Sequence, residues 1–322
     1  MNFRVLVGSA ALLGFIVSGS LLSRSAGQHP VKDEKRTKSA AALKLEADPE
    51  LRTKLNPGSK FDELKNNLKK AKIDGQQFWV TEGDRLLDED ELFFYAAERQ
   101  AQLRLFEARR AAGSSPPPGA MELVAVTENG RVVRWEPGKV LTYCVLKSLF
   151  SDNDKYQMVV DNMLKATGDW EATCGVKFEH KSDLDNSPGT DLPDGVLFCV
   201  RQIDANGSFI AASFFPNDPP LRRKLVIDPS YYTTSFDKIG VLRHELGHIL
   251  GFRHEHIRSE APPVCQGEGV DNTLNLTDYD PRSVMHYFCG GVGTRELRIT
   301  QLDQTGSQLI YGPPLLRVQF VK

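Results

Sequence analysis

The sequence has little excess charge and, after its first residues, no long apolar run. Lys and Arg together number 40 and Asp and Glu 42, so the formal net charge is −2. That balance does not favour nucleic acid or an anionic membrane surface as a partner. No stretch after Leu22 is apolar enough to cross a bilayer. We therefore predict no nucleic-acid partner and no stable membrane span once the N-terminal segment is removed.

Cysteine is absent from the first 143 residues, and the five cysteines are Cys144, Cys174, Cys199, Cys265 and Cys289. In an oxidising compartment, disulfides are the default prediction for such residues. Cys265 and Cys289 flank one loop region and are the preferred pair, with Cys144–Cys174 as a second candidate. Cys199 lies in the apolar run "VLFCV", which is typical of a buried free thiol. The sequence leaves the connectivity open.

The first 26 residues have the pattern of an export signal. One basic residue, Arg4, precedes an uncharged apolar run from Val5 to Leu22, and small residues follow up to Ala26. This pattern predicts a signal peptide over 1–26 and a secreted protein, extracellular or periplasmic. The alternative is an uncleaved membrane anchor, because the run is about as long as a spanning helix.

A Pro/Gly/Ser stretch, "GSSPPPG" at 113–119, divides the rest of the chain as a linker would. Before it, residues 30–50 are charged and lack aromatic residues, so we expect them to be loosely ordered. "FDELKNNLKKAK" (61–72) has helical spacing, "QQFWV" is strand-like, and a helix is predicted over about 87–112. Asp88 and Glu91 form its N-terminal cap.

The region after the linker alternates short strands with few helices, which predicts a mixed α+β fold. "MELVAVTENGRVVRW" predicts a hairpin, because Asn129-Gly130 suits a tight turn. An amphipathic helix is predicted over 154–171, and a final helix begins with the capping pair Thr300 and Asp303.

Four of the seven histidines lie within "HELGHILGFRHEH" at 244–256. In a helix, aliphatic residues such as Leu242 and Leu246 share one face, whereas His244 and His248 lie together on the opposite face. Spacing of four is what two imidazoles need to reach one zinc ion. Gly251 can end the helix in a left-handed conformation and let His254 return as a third ligand.

Three imidazoles leave a fourth coordination position open, and an open position is typical of a catalytic zinc. Glu245 neighbours the first ligand and can act as general base on the zinc-activated water, without ligating the metal. The alternative is that these are ordinary surface histidines, but the five fixed positions of H-E-x-x-H-x-x-G-x-x-H disfavour it.

The motif with a following methionine turn is the metzincin signature. "HELGHILGFRHE", including Phe252 and Glu255, resembles its astacin form, and "SVMHY" (283–287) resembles the astacin methionine turn. The resemblance implies that Met285 lies beneath the zinc and that Tyr287 stabilises the oxyanion; the alternative for Tyr287 is a packed aromatic. It also implies a catalytic domain over 120–322, with a mostly parallel five-stranded sheet, an antiparallel edge strand, an active-site helix and a C-terminal helix.

"FIAASFFPNDPPLRRKLVID" (209–228) is similar to the edge strand of matrixins, against which substrate lies antiparallel. This implies a polypeptide substrate bound along 209–216 through its backbone. The histidine ligands of the matrixin structural zinc are missing, so one catalytic zinc is expected. Asp271, Asp278 and Asp280 could bind calcium, although a solvated acidic loop is the favoured interpretation.

Latency is expected from residues 27–118, which would form a pro-segment. Matrixins use a pro-segment cysteine, which this chain lacks, whereas astacins place an aspartate on the zinc from an F-x-G-D motif. "TEGD" offers Gly83 and Asp84, with Thr81 in place of Phe. Asp84 is therefore the candidate blocking ligand; the alternative is a tight turn. Arg109-Arg110 and the linker are candidate cleavage points.

The remaining histidines and one acid are assigned lesser roles. His256 and His286 adjoin the motif without ligand spacing, and His180 is expected to be structural. By the astacin resemblance, Glu255 can pair with the new N-terminus after processing. These patterns together predict a secreted zinc-dependent endopeptidase; the alternative is a catalytically inactive metzincin-fold binding protein.

Overall fold

The computed structural model describes residues 38–111, 123–128, 130–189, 191–258, 261 and 273–315. All of them belong to one compact unit, Glu34–Lys322. The predicted signal peptide (1–26), the linker (113–119) and Cys265 lie outside the described residues. No helix among the described residues is long and apolar enough to cross a membrane.

A five-stranded sheet organises the second part of the chain, in the order β7-β6-β8-β10-β9. Its strands are β6 (Val140–Val145), β7 (Lys177–His180), β8 (Phe198–Gln202), β9 (Ala211–Ala212) and β10 (Lys224–Ile227). The first four in spatial order run parallel, and β9 is antiparallel to β10 at the edge. Central strands such as β8 are buried on both faces, as expected for a parallel sheet that is covered on both sides. The predicted mixed fold is confirmed.

Two helices, α5 (Asn153–Thr173) and α6 (Lys238–Ile249), pack against each other and carry much of the core. From α5, Met163 and Trp170 are fully buried, and the indole N–H of Trp170 donates to the Arg243 carbonyl at 2.9 Å. The predicted final helix is α7 (Gln301–Tyr311), and Thr300 and Asp303 form the expected capping box. Burial of the aliphatic face of α6 leaves its histidine face directed at the cleft.

A small three-stranded sheet adjoins the end of α6. The predicted hairpin forms β4 (Val124–Glu128) and β5 (Arg131–Val132), and β11 (Thr273–Asn275) adds to it. The Val126 N–H donates to the Gly251 carbonyl at 2.9 Å. This sheet thus holds the chain where it leaves the helix.

The segment before the linker contains three short helices, a three-stranded sheet and a long helix. They are α1 (Ala40–Ala47), α2 (Leu51–Leu55), α3 (Ser59–Asn67), β1 (Lys69–Ile73), β2 (Gln76–Thr81), β3 (Arg85–Leu87) and α4 (Glu89–Ala111). The expected loose order of 30–50 is wrong for 40–47, because Ser39 caps a helix there. The helix predicted over 61–72 ends at Asn67. "KKAKI" instead pairs with β2 and alternates exposed with buried residues. Asp88 and Glu91 cap α4 reciprocally, as predicted.

The hairpin β1–β2 shares an apolar cluster with the edge of the five-stranded sheet. The cluster consists of Ala71, Ile73, Phe78 and Val80 on one side and Ala205, Phe209, Ala212 and Val226 on the other. Asp74, in the hairpin turn, also pairs with Arg201 at 2.9 Å and with Lys224. The N-terminal segment therefore covers the edge strand.

Three of the cysteines are buried free thiols: Cys144, Cys174 and Cys199. The second candidate disulfide, Cys144–Cys174, is therefore wrong. Cys144 instead lies opposite Cys199 on neighbouring parallel strands and shares a cluster with it. Burial raises the pKa of the Cys144 thiol to about 12 and that of Cys199 to about 11. Because Cys265 lies outside the described residues, its pairing with Cys289 stays a prediction.

Candidate metal centre

Helix α6 presents His244, Glu245 and His248 to the cleft. The Asp237 side chain caps its first turn by accepting from the Gly240 N–H at 2.8 Å. The helix ends at Ile249, and two residues later Gly251 has a φ of 96°, which favours glycine. A Cβ there would also collide with the Val133 carbonyl oxygen. The chain therefore turns sharply, and His254 comes back towards the two helical imidazoles.

The three predicted ligand imidazoles converge on one point. The Nε2 atom of His254 lies 3.1 Å from that of His248 and 3.2 Å from that of His244. The Nδ1 atom of His244 lies 2.8 Å from the Val284 carbonyl, and that of His248 lies 2.7 Å from the Phe252 carbonyl. Because these carbonyls require Nδ1–H donors, the Nε2 lone pairs face the common point.

Unprotonated nitrogens at such separations repel one another unless a cation lies between them. Three imidazoles, two of which have Nδ1 held by a backbone carbonyl, form a donor set that fits zinc. Burial lowers the pKa of His244 to about 4, which keeps its ring neutral and able to ligate. Among the described residues, Asp278 and Asp280 do not belong to this ligand group, and Asp271 lies outside them.

Asp84 is the fourth member of the cluster. It lies in the turn between β2 and β3, and its Oδ2 is 3.2 Å from Nε2 of His244, 3.2 Å from that of His254 and 3.6 Å from that of His248. Burial opposes its ionisation, but the facing His254 and His248 rings hold its pKa well below the ordinary value. An ionised carboxylate from the N-terminal segment therefore lies against the three predicted ligand imidazoles.

Glu245 points into the same space from the helix. Its carboxylate is buried, and Oε2 has no hydrogen-bond partner. Burial, followed by the nearby negative charge of Asp84, raises its pKa well above the ordinary value. A buried carboxyl group with one oxygen atom unpartnered, beside the ligand cluster, suits a proton acceptor whose pKa falls when Asp84 leaves.

The turn carrying Met285 and Tyr287 forms the floor and one wall of the site. Met285 is fully buried, and a Cβ at Gly247 would collide with its sulfur. The Tyr287 ring lies against His254, with centroids 4.4 Å apart, and His244, at 5.5 Å. Asp303 holds the turn: it accepts from the Ser283 hydroxyl at 2.5 Å and the Val284 N–H at 2.9 Å. The sequence indicated Asp303 as a helix cap but not this second contact.

The other histidines that the structure describes lie outside the ligand cluster. His256 stacks on Tyr287 with centroids 4.8 Å apart, and the Nε2 of His286 lies 2.8 Å from the Tyr279 hydroxyl. Both are buried beside the site. His180 is remote and contacts Asp185 at 3.0 Å, as a structural residue would.

Glu255 is a buried carboxylate next to the third ligand. Its Oε1 accepts from Arg258 at 2.7 Å and from the Asp280 N–H at 3.0 Å, whereas Oε2 has no hydrogen-bond partner. Burial raises its pKa to about 8. One oxygen atom therefore stays available for a further donor.

Glu82 and Arg253 form an ion pair that the motifs did not indicate. The Glu82 carboxylate contacts the Arg253 guanidinium, lies 3.3 Å from Arg85 and lies 3.5 Å from Nδ1 of His254. Both partners are buried. The pair joins the N-terminal segment to the residue that precedes the third predicted ligand.

A cavity of about 440 Å³ opens beside His244 and Glu245. Residues 209–211 of the edge segment line one side of it, and Phe236, Val241, Phe288 and Leu297 line much of the rest. Gly83, Asp84 and Lys69 of the N-terminal segment reach into it. The cavity thus connects the ligand cluster with the edge strand.

The five-stranded sheet, helix α6 and the three-histidine cluster together form the arrangement that the metzincin resemblance predicts. No protein-family model matches the chain. A curated relative, zinc metalloproteinase nas-2 of Caenorhabditis elegans, is 40% identical over 57 residues, covering 15% of this chain and 20% of that protein. The chain thus matches about one fifth of the length of that relative.

Two solved structures are similar to the chain. Myroilysin aligns with 60% of this chain and 100% of its own, at 16% identity and a TM-score of 0.43. High choriolytic enzyme 1, a hatching enzyme zinc-protease of the medaka fish Oryzias latipes, aligns with 59% and 99%, at 18% identity and a TM-score of 0.39. The predicted similarity to astacin-like zinc metalloproteinases is confirmed.

Proposed function

We propose that this protein is a secreted zinc-dependent endopeptidase made as a latent precursor. The observation that carries the proposal is the convergence of the Nε2 atoms of His244, His248 and His254, with the buried carboxylate of Glu245, whose Oε2 has no hydrogen-bond partner, beside them. Bound there, zinc supplies a Lewis acid that polarises a peptide carbonyl and lowers the pKa of a water molecule.

The chain's own residues supply the remaining steps. Glu245 accepts a proton from the attacking water and delivers it to the leaving amine, which a single carboxylate can do in sequence. The Tyr287 hydroxyl donates to the oxyanion, since its ring lies against the His244 and His254 rings. The edge segment 209–216 binds the substrate backbone antiparallel. Met285 supports the ligands from beneath.

In the precursor, residues 27–118 act as the pro-segment and Asp84 as its blocking ligand. Three facts support this role: the Oδ2 position among the imidazoles, the shared apolar cluster over the edge strand, and the pairing of segment carboxylates with downstream cations. Arg222 adds two further contacts of this kind, with Asp88 and Glu91 of the segment. Asp84 thus belongs to a segment that blocks the site in two ways: its carboxylate lies among the predicted zinc ligands, and the rest of the segment keeps substrate away from the edge strand.

Export and processing complete the proposal. Residues 1–26 are the signal peptide, 120–322 the catalytic domain, and cleavage falls at Arg109-Arg110 or in 113–119. Of the five cysteines, Cys144, Cys174 and Cys199 are free thiols. The other two, Cys265 and Cys289, form a disulfide in the exported protein. The free oxygen of Glu255 then receives the new N-terminus.

The test is proteolysis of casein by the processed protein, together with its zinc content. We expect one zinc per chain, activity abolished by a chelator and restored by zinc, and at least a thousand-fold loss in Glu245→Ala. Glu179→Ala, an exposed acid on β7, is the matched control and keeps full activity. A zinc-loaded protein with no cleavage in any arm would instead support an inactive binding protein.

A further inference from the structure

The main chain of Tyr287 is held in place by its neighbours. Its carbonyl oxygen accepts from Nδ1–H of His286 at 2.6 Å, and Nε2 of His286 in turn accepts from the Tyr279 hydroxyl at 2.8 Å. The backbone of Gly293 packs so closely that a Cβ there would lie 2.2 Å from the same carbonyl oxygen. The phenol ring is therefore the part of Tyr287 that can move during the reaction.

This ring lies along a row of three imidazoles. Its centroid is 4.4 Å from that of His254, 4.8 Å from that of His256 and 5.5 Å from that of His244. His244 and His254 are predicted zinc ligands, whereas His256 lies outside the ligand cluster. The plane of the His256 ring is nevertheless within 20° of the phenol plane, which is a stacked contact. Metal binding does not account for that contact.

His256 is brought beneath Tyr287 by a backbone link. The short 3-10 helix that contains His256 begins at Glu255, whose N–H donates to the Met285 carbonyl at 2.9 Å. Met285 belongs to the same turn as Tyr287, so the two rings are attached to segments that are joined to each other. His256 is 7% exposed, and the surrounding packing fixes its ring.

A second constraint on the phenol ring is temporary under the proposed function. Gly83 of the N-terminal segment lies against the ring edge, close to Cε2 and the hydroxyl oxygen. This contact is lost when the segment leaves, whereas the contact with His256 stays. A ring with one face on a flat partner can slide along it, but tilting opens the contact and costs attraction.

We propose that His256 is a positioning residue for Tyr287, because its flat imidazole face holds the phenol ring in the orientation from which the hydroxyl donates to the oxyanion. The inference rests on the proposed function and adds a residue to it. His256 transfers no proton and binds no metal in this role. It acts through Tyr287, so its removal lowers the rate of the chemical step and leaves substrate binding unchanged.

The test is a double-mutant cycle on the processed protein, with kcat and KM measured on a fluorogenic peptide. We expect His256→Leu, which fills the space without a flat face, to lower kcat about ten-fold, the upper range for one aromatic contact, with KM unchanged. His256→Phe keeps a flat ring and stays within about two-fold of the wild-type kcat. In a Tyr287→Phe background, His256→Leu causes no further loss, because the hydroxyl that it positions is gone.

His180→Leu is the matched control. The His180 ring stacks on Tyr143 with centroids 5.0 Å apart and an interplanar angle of 8°, so the same kind of contact is removed away from the ligand cluster. We expect this variant to lose stability and to keep the wild-type kcat. Zinc content and thermal melting show whether each variant is loaded and folded. If His256→Leu does not fold, His256→Gln, which also lacks a ring, takes its place in the cycle.

Three results would overturn the proposal. The first is an unchanged kcat in His256→Leu, and the second is an equal loss of kcat in the Tyr287→Phe background. The third is a loss of zinc or of folding in both His256→Leu and His256→Gln, which would assign His256 to the support of His254 or of the fold.

Binding provides a readout that does not depend on hydrolysis. A phosphinic peptide mimics the tetrahedral oxyanion, so we expect zinc-loaded wild type to prefer it to the matching amide peptide, and His256→Leu to lose about ten-fold of that preference. An unchanged preference in His256→Leu would also overturn the proposal. If the preference depends on His256 while wild type cleaves no peptide, the positioning role stands and the proposed endopeptidase function fails.

Discussion

Tyr287 leaves no room for a side chain at Gly83. A Cβ at this position would lie 2.7 Å from Cε2 of the tyrosine ring and 2.9 Å from its hydroxyl oxygen. The backbone φ of Gly83 is +88°, which also disfavours any other residue. The turn that carries Asp84 thus fits the site only because residue 83 lacks a side chain.

Gly83→Ala should therefore loosen the blocking turn and make the uncleaved protein active. Gly75→Ala is the matched control, since Gly75 has a similar φ of +81° in the same segment but nothing within 4 Å of a Cβ. We expect the control to lose about 1 kcal/mol of stability and to stay latent. The measurement is casein cleavage by the full-length Gly83→Ala and Gly75→Ala proteins. If the Gly83→Ala protein stays latent, the close fit between Gly83 and Tyr287 is not needed for the block.

Asp84→Ala removes the carboxylate from the ligand cluster. We expect the uncleaved protein to gain at least ten-fold in peptide hydrolysis, because the fourth ligand position opens although the segment still covers the edge strand. Asp62→Ala, an exposed acid of α3, should stay latent. The measurement is activity of the full chain with cleavage of the linker region monitored in parallel. If the Asp84→Ala protein stayed latent, Asp84 would be a residue of the tight turn and not the blocking ligand.

Gly247→Ala should disturb the floor of the site. The added methyl group would meet the sulfur of Met285, and overpacking of this kind costs about 1–3 kcal/mol. Gly168→Ala in α5 meets nothing within 4 Å and should gain up to about 1 kcal/mol, as alanine does in a helix. Urea denaturation measures both changes, and zinc affinity should fall only in Gly247→Ala.

The thiols offer a test of the cysteine assignment. Burial raises the pKa of the Cys144 and Cys174 thiols to about 12 and of Cys199 to about 11, so none should react in the folded protein at pH 8. We expect three reactive thiols after denaturation without a reductant and five after reduction. Five thiols without reduction would exclude the Cys265–Cys289 disulfide.

Asp303 should give the protein a pH-dependent stability. Burial raises its pKa to about 6 from 3.8, so its contribution to stability is present below pH 4 and is lost as the pH rises through 6. The loss is about 3 kcal/mol at most. In metal-free protein, the gap in unfolding free energy between wild type and Asp303→Asn should narrow from pH 4 to pH 7. A constant gap would contradict the raised pKa.

The sequence predicted the elements whose local patterns are strong. The spacing of His244 and His248 and the glycine at 251 are short-range signals, and they placed three imidazoles together. The capping pairs at Asp88 and Thr300 also located two helix starts within two residues. Such features depend on neighbours along the chain, which a single sequence displays.

Other features depend on partners far away in the chain. "KKAKI" was expected to continue a helix, yet pairing with β2 and burial of Ile73 made it a strand. The Glu82–Arg253 pair joins residues 171 positions apart, so no local pattern announces it. The sequence did contain one indication of this pair. Arg253 lies inside the ligand motif and Glu82 lies two residues before Asp84, and the motif and Asp84 were both predicted to belong to the same site.

The apolar cluster shared by the β1–β2 hairpin and the sheet edge has a consequence for how the protein is assembled. Phe209, Ala212 and Val226 pack against side chains of the segment that we propose is removed on processing. If it is removed, the segment would serve as a template for folding in addition to blocking the site. After its removal, we expect the catalytic part to persist because unfolding is slow, and to recover poorly from denaturant on its own. Cleavage would then fix the folded state of each molecule, because a catalytic domain that unfolds afterwards would lack the segment on which it first folded.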